Sequence, residues 1–322
     1  MQQKSSGFVF SKLYDNRISA PLKCSIVRSI ARRNRSRAML NHYYGLLDDR
    51  AKSRFHARYA KIFRDQSDDR LAPGDWTVHF DDKAIRLPLR SSLLWLDWDS
   101  AVSIVGHDVE IKQTYVELVK SDQRPALFLD VGANYGTHSV LFLSAGIPTV
   151  SFEPNPSCFS YFQTVCELNG LEGWRWEQVA VGDRSGQVDL VYPENETWLG
   201  SVSLDVMSSV KSTGKVITKQ VPLRRIDDYL DDIGRDNMLI KIDVEGFERE
   251  VIQGASQLLT RYRPKIIFES NTTKSRGDFF RLLSDYGYSV YPLPYRPSAG
   301  LAALRRDAFL ESAATNFIAV AG

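Results

Sequence analysis

The stretch Phe128-Leu-Asp-Val-Gly-Ala-Asn-Tyr-Gly136 reads as a buried strand that turns into a helix around a small ligand. Gly132 and Gly136 carry no side chain where a ligand would press against the backbone, and the helix that follows offers free N–H groups. A nicotinamide or flavin fingerprint needs G-x-G-x-x-G, but Asn134 takes the second glycine position and Thr137 the third. No G-x-x-x-x-G-K-[ST] phosphate loop occurs anywhere. Asp130 suits a positive amino group or sulfonium better than an anion, which points to S-adenosylmethionine. Glu153, 21 residues beyond Gly132, stands where an acid after the second strand accepts hydrogen bonds from both hydroxyls of an adenosine ribose. Asn155 can cap the next helix and Pro156 fits its first turn, so Glu-Pro-Asn-Pro holds Glu153 in place.

A third acid, Asp243, closes the run Leu239-Ile-Lys-Ile-Asp243. At the carboxyl end of a central strand it can orient a substrate hydroxyl, take its proton or hold the cofactor's amino group. Glu245 and Glu248 lie three apart where the next helix opens, and they also have the plain role of complementing its dipole. His138, just past Gly136, reads as a base or, more commonly in a first turn, as a structural hydrogen-bonder. His107 and Glu110 are candidates to close over the cleft. No metal site is read, because the five histidines form no close ligand pair and H-E-x-x-H is absent.

These groups need a scaffold that brings strand ends together. Short apolar segments at Ala126–Val131, Pro148–Glu153, Trp174–Val179, Met238–Asp243, Lys265–Glu269, Ser289–Tyr291 and Phe317–Val320 alternate with helical patterns. That alternation predicts a doubly wound, mainly parallel sheet whose ligands bind beyond the strands' carboxyl ends. Val251, Ile252, Ala255, Leu258 and Leu259 form the buried face of the helix after Asp243. Upstream, Trp76–Phe80 and Ala84–Leu89 predict a hairpin turning at Asp81–Lys83, and Val102–Val119 predicts one helix. Ala51, Phe55, Tyr59, Ile62 and Phe63 recur at helical spacing behind Asp48 and Asp49. The polar run Asp65–Gly74 marks a boundary, giving a basic, mainly helical extension over 1–70, a hairpin and helix over 71–125, and the catalytic domain over 126–322.

Taken together the motifs resemble the FkbM family of S-adenosylmethionine-dependent methyltransferases. The matching residues are Phe128–Gly136, Phe152-Glu-Pro-Asn155, Val179-Ala-Val-Gly-Asp183, Ile240-Lys-Ile-Asp-Val-Glu-Gly-Phe-Glu248, Val251-Ile-Gln-Gly-Ala255 and Arg263-Pro-Lys-Ile-Ile-Phe-Glu269. They extend over about 200 residues and leave residues 1 to about 70 uncovered. The resemblance implies a class I methyltransferase fold: a Rossmann-like, seven-stranded sheet with helices on both faces, six strands parallel and the last antiparallel. It implies O-methylation of a sugar or small natural product. It also implies that Asp130, Gly132, Asn134 and Gly136 form the methionine-side loop, that Glu153 beside Asn155 holds the ribose, that Ala180 and Asp183 border the adenine, and that Asp243 and Glu245 face the acceptor.

Charge adds a second theme. The chain's net +2 divides into +12 over Met1–Arg64 and −10 over the remainder, with Arg28, Arg32, Arg33, Arg35 and Arg37 packed into ten residues. Such an arm implies contact with an anionic surface or none beyond solvent. RNA ribose methylation through the arm is the alternative enzyme reading. It is disfavoured because Lys112, Asp243, Lys274 and a late Glu only loosely imitate the Lys-Asp-Lys-Glu set. Base methylation is disfavoured too, since Asp-Val-Glu-Gly replaces the [Asp/Asn]-Pro-Pro-aromatic loop. A non-catalytic binding module is the other class of answer. No apolar run approaches a membrane span, and three cysteines at unhelpful spacing predict reduced thiols in a cytoplasmic protein.

Overall fold

The computed structural model describes residues 19–64, 72–193, 200–202, 216–270 and 273–322. The boundary run Asp65–Gly74 therefore lies largely outside the described residues, and residues 1–18 of the basic arm and the side chain of Lys274 lie wholly outside them. The chain divides into two compact units, Met1–Val109 with Thr164–Gly170, and Glu110–Gln163 with Leu171–Gly322.

In the first unit, helices Ala20–Ala31, Asn34–Gly45 and Asp49–Tyr59 precede a hairpin of β1 (Gly74–Phe80) and β2 (Lys83–Leu89), then helix Leu94–Ser103. Asp48 caps the third helix by accepting from Ala51 N at 2.7 Å. Its apolar face is buried among aromatic rings: Phe55 meets Tyr44 at 5.1 Å, Tyr44 meets Trp76 at 5.6 Å and Trp76 meets Trp98 at 5.2 Å between centroids. Trp98 Nε1 donates to Tyr59 O and Tyr44 Oη to Val102 O, whereas the buried Trp76 Nε1 has no hydrogen-bond partner. The described helices of the segment read from sequence as 1–70 thus share a core with the hairpin and helix Leu94–Ser103, while Glu110 to Pro125 of the segment read as 71–125 belongs to the second unit. Pro88 sits inside β2 opposite Asp75, as the hairpin reading required.

The expected single helix Val102–Val119 is two helices, Leu94–Ser103 and Val109–Lys120. The break has a steric cause. A β-carbon on Gly106 would lie 2.4 Å from Val102 O and 2.8 Å from Tyr44 Oη, and Asp108 adopts φ +43°.

In the second unit, β3 (Leu127–Val131), β4 (Thr149–Phe152), β5 (Trp174–Glu177), β6 (Ala180–Val181), β7 (Gly186–Pro193), β8 (Val216–Arg224), β9 (Met238–Ile242), β10 (Lys265–Glu269), β11 (Tyr288–Pro292) and β12 (Asn316–Ala321) form two sheets. The large sheet runs β11-β12-β10-β9-β3-β4-β5. The β3–β4, β3–β9, β4–β5 and β9–β10 pairs are parallel, while β12 is antiparallel to both β10 and β11. This is the seven-stranded, mostly parallel class I methyltransferase sheet, flanked by helices. All five residues of β3 and of β9 are buried, which is why each reads as an apolar run with one charged interruption, Asp130 and Lys241.

A second sheet, β6-β8-β7, was not anticipated. Its sequence signal is the period-2 alternation of Val188, Leu190 and Tyr192 and of Ile217, Lys219, Val221 and Leu223, between β5 and β9. The helix expected after Asp243 is also two, Glu248–Gln253 and Ser256–Tyr262. Gly254 breaks it, since a β-carbon there would lie 1.8 Å from Gly182 O, and Asp227 caps the second piece by accepting from Gln257 N and Leu258 N.

Candidate active site

The strand order puts the carboxyl ends of β4, β3, β9 and β10 side by side, and the acids named from sequence stand at those ends. After β3, the chain takes three left-handed residues: Gly132 at φ +81°, Asn134 at +48° and Gly136 at +71°. The protein's own packing also requires both glycines. A β-carbon on Gly132 would lie 1.8 Å from Asp243 O, and one on Gly136 2.2 Å from the Phe162 ring. Tight contact with the β9 loop and with helix Pro156–Asn169 therefore fixes both positions.

Glu153 is where the β3 and β4 loops join. Its Oε2 accepts from Asn134 N and its Oε1 from Asn155 N, each at 2.8 Å. Asn155 Oδ1 accepts from Ser157 N at 3.1 Å, the capping role its position implied. Burial pushes the Glu153 carboxyl up to about 7 against the pull of those two N–H groups. One lone pair on each oxygen is left for a further donor, the arrangement that two ribose hydroxyls require. Two more buried atoms lack partners: Asp130 Oδ1 and Asn155 Nδ2. Asp130 Oδ2 accepts from Ser139 Oγ at 2.6 Å, and burial raises its carboxyl pKa. These residues fit a cofactor with ribose hydroxyls and a cationic centre.

Across from that loop, Asp243 Oδ2 accepts from the buried Lys241 Nζ at 2.9 Å. Carboxyl oxygens of Asp243, Glu245 and Glu269 lie within 4.8 Å of one another. Burial, then the charges of Asp243 and Glu248, push Glu245 up to about 7. Burial and a hydrogen bond with Asp243 raise Glu269 well above the usual carboxylate range. Glu245 has φ +52°, and Ser201 Oγ donates to its carbonyl at 2.8 Å, so the small-sheet insertion braces this loop. Glu248 accepts from Gly246 N at 3.0 Å and so closes the turn before its helix.

The structure thus joins Asp130, Gly132, Asn134, Glu153, Asn155, Asp243 and Glu245. It does not tie Ala180 or Asp183 to them: Ala180 is buried in the small-sheet core with Leu190, Tyr192, Val221 and Leu223, and Asp183 is paired with Arg184 at 2.9 Å. His138 is buried, with Nδ1 2.9 Å from Tyr115 Oη and Nε2 3.5 Å from Lys112 Nζ, the structural alternative of the sequence reading. His107 Nδ1 lies 3.1 Å from Asp108, and Glu110 accepts from Asn316 Nδ2 at 3.0 Å. Glu269 and Lys241 were missed as site residues. Both could have been found, Glu269 as the last residue of the strand beside Asp243, and Lys241 as a cation inside an otherwise apolar strand.

Residues 130–290, half of the chain, match the Methyltransferase FkbM domain. Methyltransferase 1 of Beauveria bassiana is 28% identical over 185 residues, covering 51% of this chain and 73% of that protein. The 2-O-methyltransferase NoeI of Sinorhizobium fredii is 30% identical over 152 residues, covering 42% of this chain and 60% of NoeI. A crystal structure of Methyltransferase FkbM from Methylobacillus flagellatus KT aligns at 14% identity and a TM-score of 0.41, over 71% of this chain and 54% of that one. The chain therefore spans 54–73% of the length of these relatives. The matched half runs from Asp130 at the end of β3 through Glu153, Asp243 and Glu269, and by that match this chain belongs to the FkbM methyltransferase family.

Proposed function

We propose that the chain binds S-adenosylmethionine and directs its methyl group to a hydroxyl oxygen on a sugar or small natural product. The observation that carries this reading is the backbone contact between the Gly132 loop and Asp243, which sets an acceptor-side carboxylate beside the loop that Glu153 braces. That NoeI is a 2-O-methyltransferase supports oxygen as the methylated atom.

The cofactor, when bound, supplies a methyl group on a sulfonium, open to in-line displacement. Glu153 holds the ribose, with its spare lone pairs replacing water on the two hydroxyls. Asp130 sets a negative charge under the cationic end. Asp243 would receive the acceptor's hydroxyl proton as that oxygen takes the methyl group the bound cofactor would supply. Asp243, Glu245, Glu248 and Glu269 crowd the acceptor side with carboxyls, which disfavours a phosphate backbone and favours a neutral polyol. The exposed Arg33 and Arg35 give the first unit a separate means of meeting an anionic surface.

The test is calorimetry with S-adenosylmethionine and S-adenosylhomocysteine, followed by transfer of labelled methyl from the cofactor to panels of glycans, small hydroxylated metabolites and RNA. Binding with label on hydroxylated small molecules supports the reading. Binding without transfer favours a binding module, and label on RNA favours ribose methylation.

A further inference from the structure

Lys241 is a buried cation among acids. Its side chain is 4% exposed, and its Nζ lies 2.9 Å from Asp243 Oδ2. Asp130 is its register partner across the β3–β9 pair, so both side chains leave the same face of the sheet, and Asp243, two residues on, returns to that face. The β9–β10 register matches Ile267 with Lys241, and Glu269, two beyond Ile267, therefore emerges beside Asp243. Lys241 also acts electrostatically on Asp130, Glu245 and Glu269. The titratable groups acting on Asp243 are Lys241 on β9, Asp130 on β3, Glu153 after β4, Glu245 and Glu248 after β9, and Glu269 on β10.

Carboxyl oxygens of Asp243 and Glu269 lie within 4.8 Å of each other. Like charges this close disfavour ionising both groups, so the pair favours keeping one proton, and the cation's position decides which group keeps it. Lys241 contacts Asp243 directly, while burial and the charge of Asp243 raise the Glu269 carboxyl.

We propose that Lys241 is a positioning residue of the acceptor side: its ammonium keeps Asp243 ionised and aimed past the end of β9, leaving the shared proton on Glu269. This rests on the reading of Asp243 as the group that receives the acceptor's proton. Without Lys241, six carboxyls would meet with no buried cation among them, and Asp243 would compete for the proton it is meant to accept.

The experiment is a carbon-13 NMR pH titration of the full chain labelled at Asp and Glu carboxyls, with the two resonances assigned through Asp243→Asn and Glu269→Gln. In the unsubstituted protein Asp243 should titrate below Glu269. In Lys241→Met the Asp243 midpoint should rise by at least about one pH unit, a tenfold gain in proton affinity, whereas Lys241→Arg should keep the original order. An unmoved Asp243 midpoint in Lys241→Met overturns the proposal, as does a shift in Lys241→Arg as large as that in Lys241→Met. Should Lys241→Met not fold, Lys241→Arg alone decides: retention of the order supports the proposal, and its reversal overturns it. Calorimetry with S-adenosylmethionine on the same samples separates the two readings. An unsubstituted protein that binds no cofactor defeats the proposed function and leaves the titration result standing.

Discussion

A β-carbon placed on Gly132 would sit 1.8 Å from the main-chain oxygen of Asp243. The loop after β3 and the loop after β9 are therefore in backbone contact, and the relation between the cofactor side and the acceptor side is set by a missing side chain. Asp243 N also donates to Val131 O at 3.0 Å, which extends the sheet one residue past the end of β9 and fixes the same approach.

Gly132→Ala should consequently cost far more than a left-handed glycine usually does. Gly146 provides the reference, since it has φ +73° with nothing within 4 Å of an added β-carbon, against φ +81° and a backbone clash at Gly132. Gly146→Ala should lose about 1–2 kcal/mol, the penalty of a left-handed L-residue. Gly132→Ala should lose at least about 2 kcal/mol more and weaken cofactor binding. Equal shifts in denaturant midpoint for the two variants would contradict the contact.

Glu153 sets the pH range of cofactor binding. Its carboxyl is pushed up to about 7 by burial, and ribose hydroxyls need the ionised form as acceptor. Affinity for S-adenosylmethionine should be flat above pH about 8 and fall roughly tenfold per unit below about 7. Glu153→Ala should lose about 2–3 kcal/mol, roughly 30- to 150-fold in Kd. Calorimetry at pH 6 and pH 8 reads both, and a Kd that ignores pH in the parent protein would remove the ribose role.

The site and the parallel core were legible in the sequence because a buried parallel strand has no polar alternation, so Asp130 and Asp243 stand out at strand ends and turn residues punctuate the loops. Glu153 and the Asn155 cap were legible for the same reason, local chemistry confined to four residues. What escaped depends on distant partners. Gly106 looks innocuous until Tyr44 and Val102 are packed against it, and Gly254 until Gly182 is. The β7–β8 pair depends on a long-range pairing across residues 194–215, and Glu269 gains meaning only once β10 lies beside β9.

The acid cluster predicts an unusual stability profile for the cofactor-free protein. Glu153 and Glu245 have folded-state values of about 7 where an unfolded glutamate has 4.5, so between those pH values the folded chain binds more protons than the unfolded one. Stability should therefore fall as pH rises through that window, the opposite sign to a salt-bridged acid. The melting temperature measured without cofactor should decrease from pH 5 to pH 8. Glu245→Gln should flatten the slope, and a rising melting temperature over that range would refute the arrangement.

Arg276 anchors the residue that follows Glu269. Its guanidinium donates to the carbonyls of Ser270, Phe309, Ser312 and Ala314, and it lies over the rings of Phe309 and Phe317 at 5.5 and 5.3 Å. Lysine cannot reproduce the planar fork, so Arg276→Lys should cost about 2–3 kcal/mol by leaving carbonyls unpaired. Calorimetric melting gives the loss. A cost below about 0.5 kcal/mol, the ordinary surface level, would show that the fork carries no structural weight.

The arginine-rich stretch separates into two kinds of residue that substitution should tell apart. Arg28 Nε donates to Ile62 O at 2.6 Å, and the buried Arg37 donates to Ala31 O, Ala72 O and Asn34 Oδ1 at 3.1, 2.8 and 2.7 Å. Those two fasten the first helices, so Arg28→Gln and Arg37→Gln should each lower stability by about 1–3 kcal/mol. Arg33 and Arg35 are exposed, and their change to Gln should move stability by less than about 0.5 kcal/mol. If the positive charge serves an anionic surface, sedimentation with phosphatidylserine vesicles should fall for Arg33→Gln with Arg35→Gln and fall again as salt rises through 0.15 M, about where the screening length drops to 8 Å. Cosedimentation that ignores both the substitutions and the salt would leave the arm with its packing role alone.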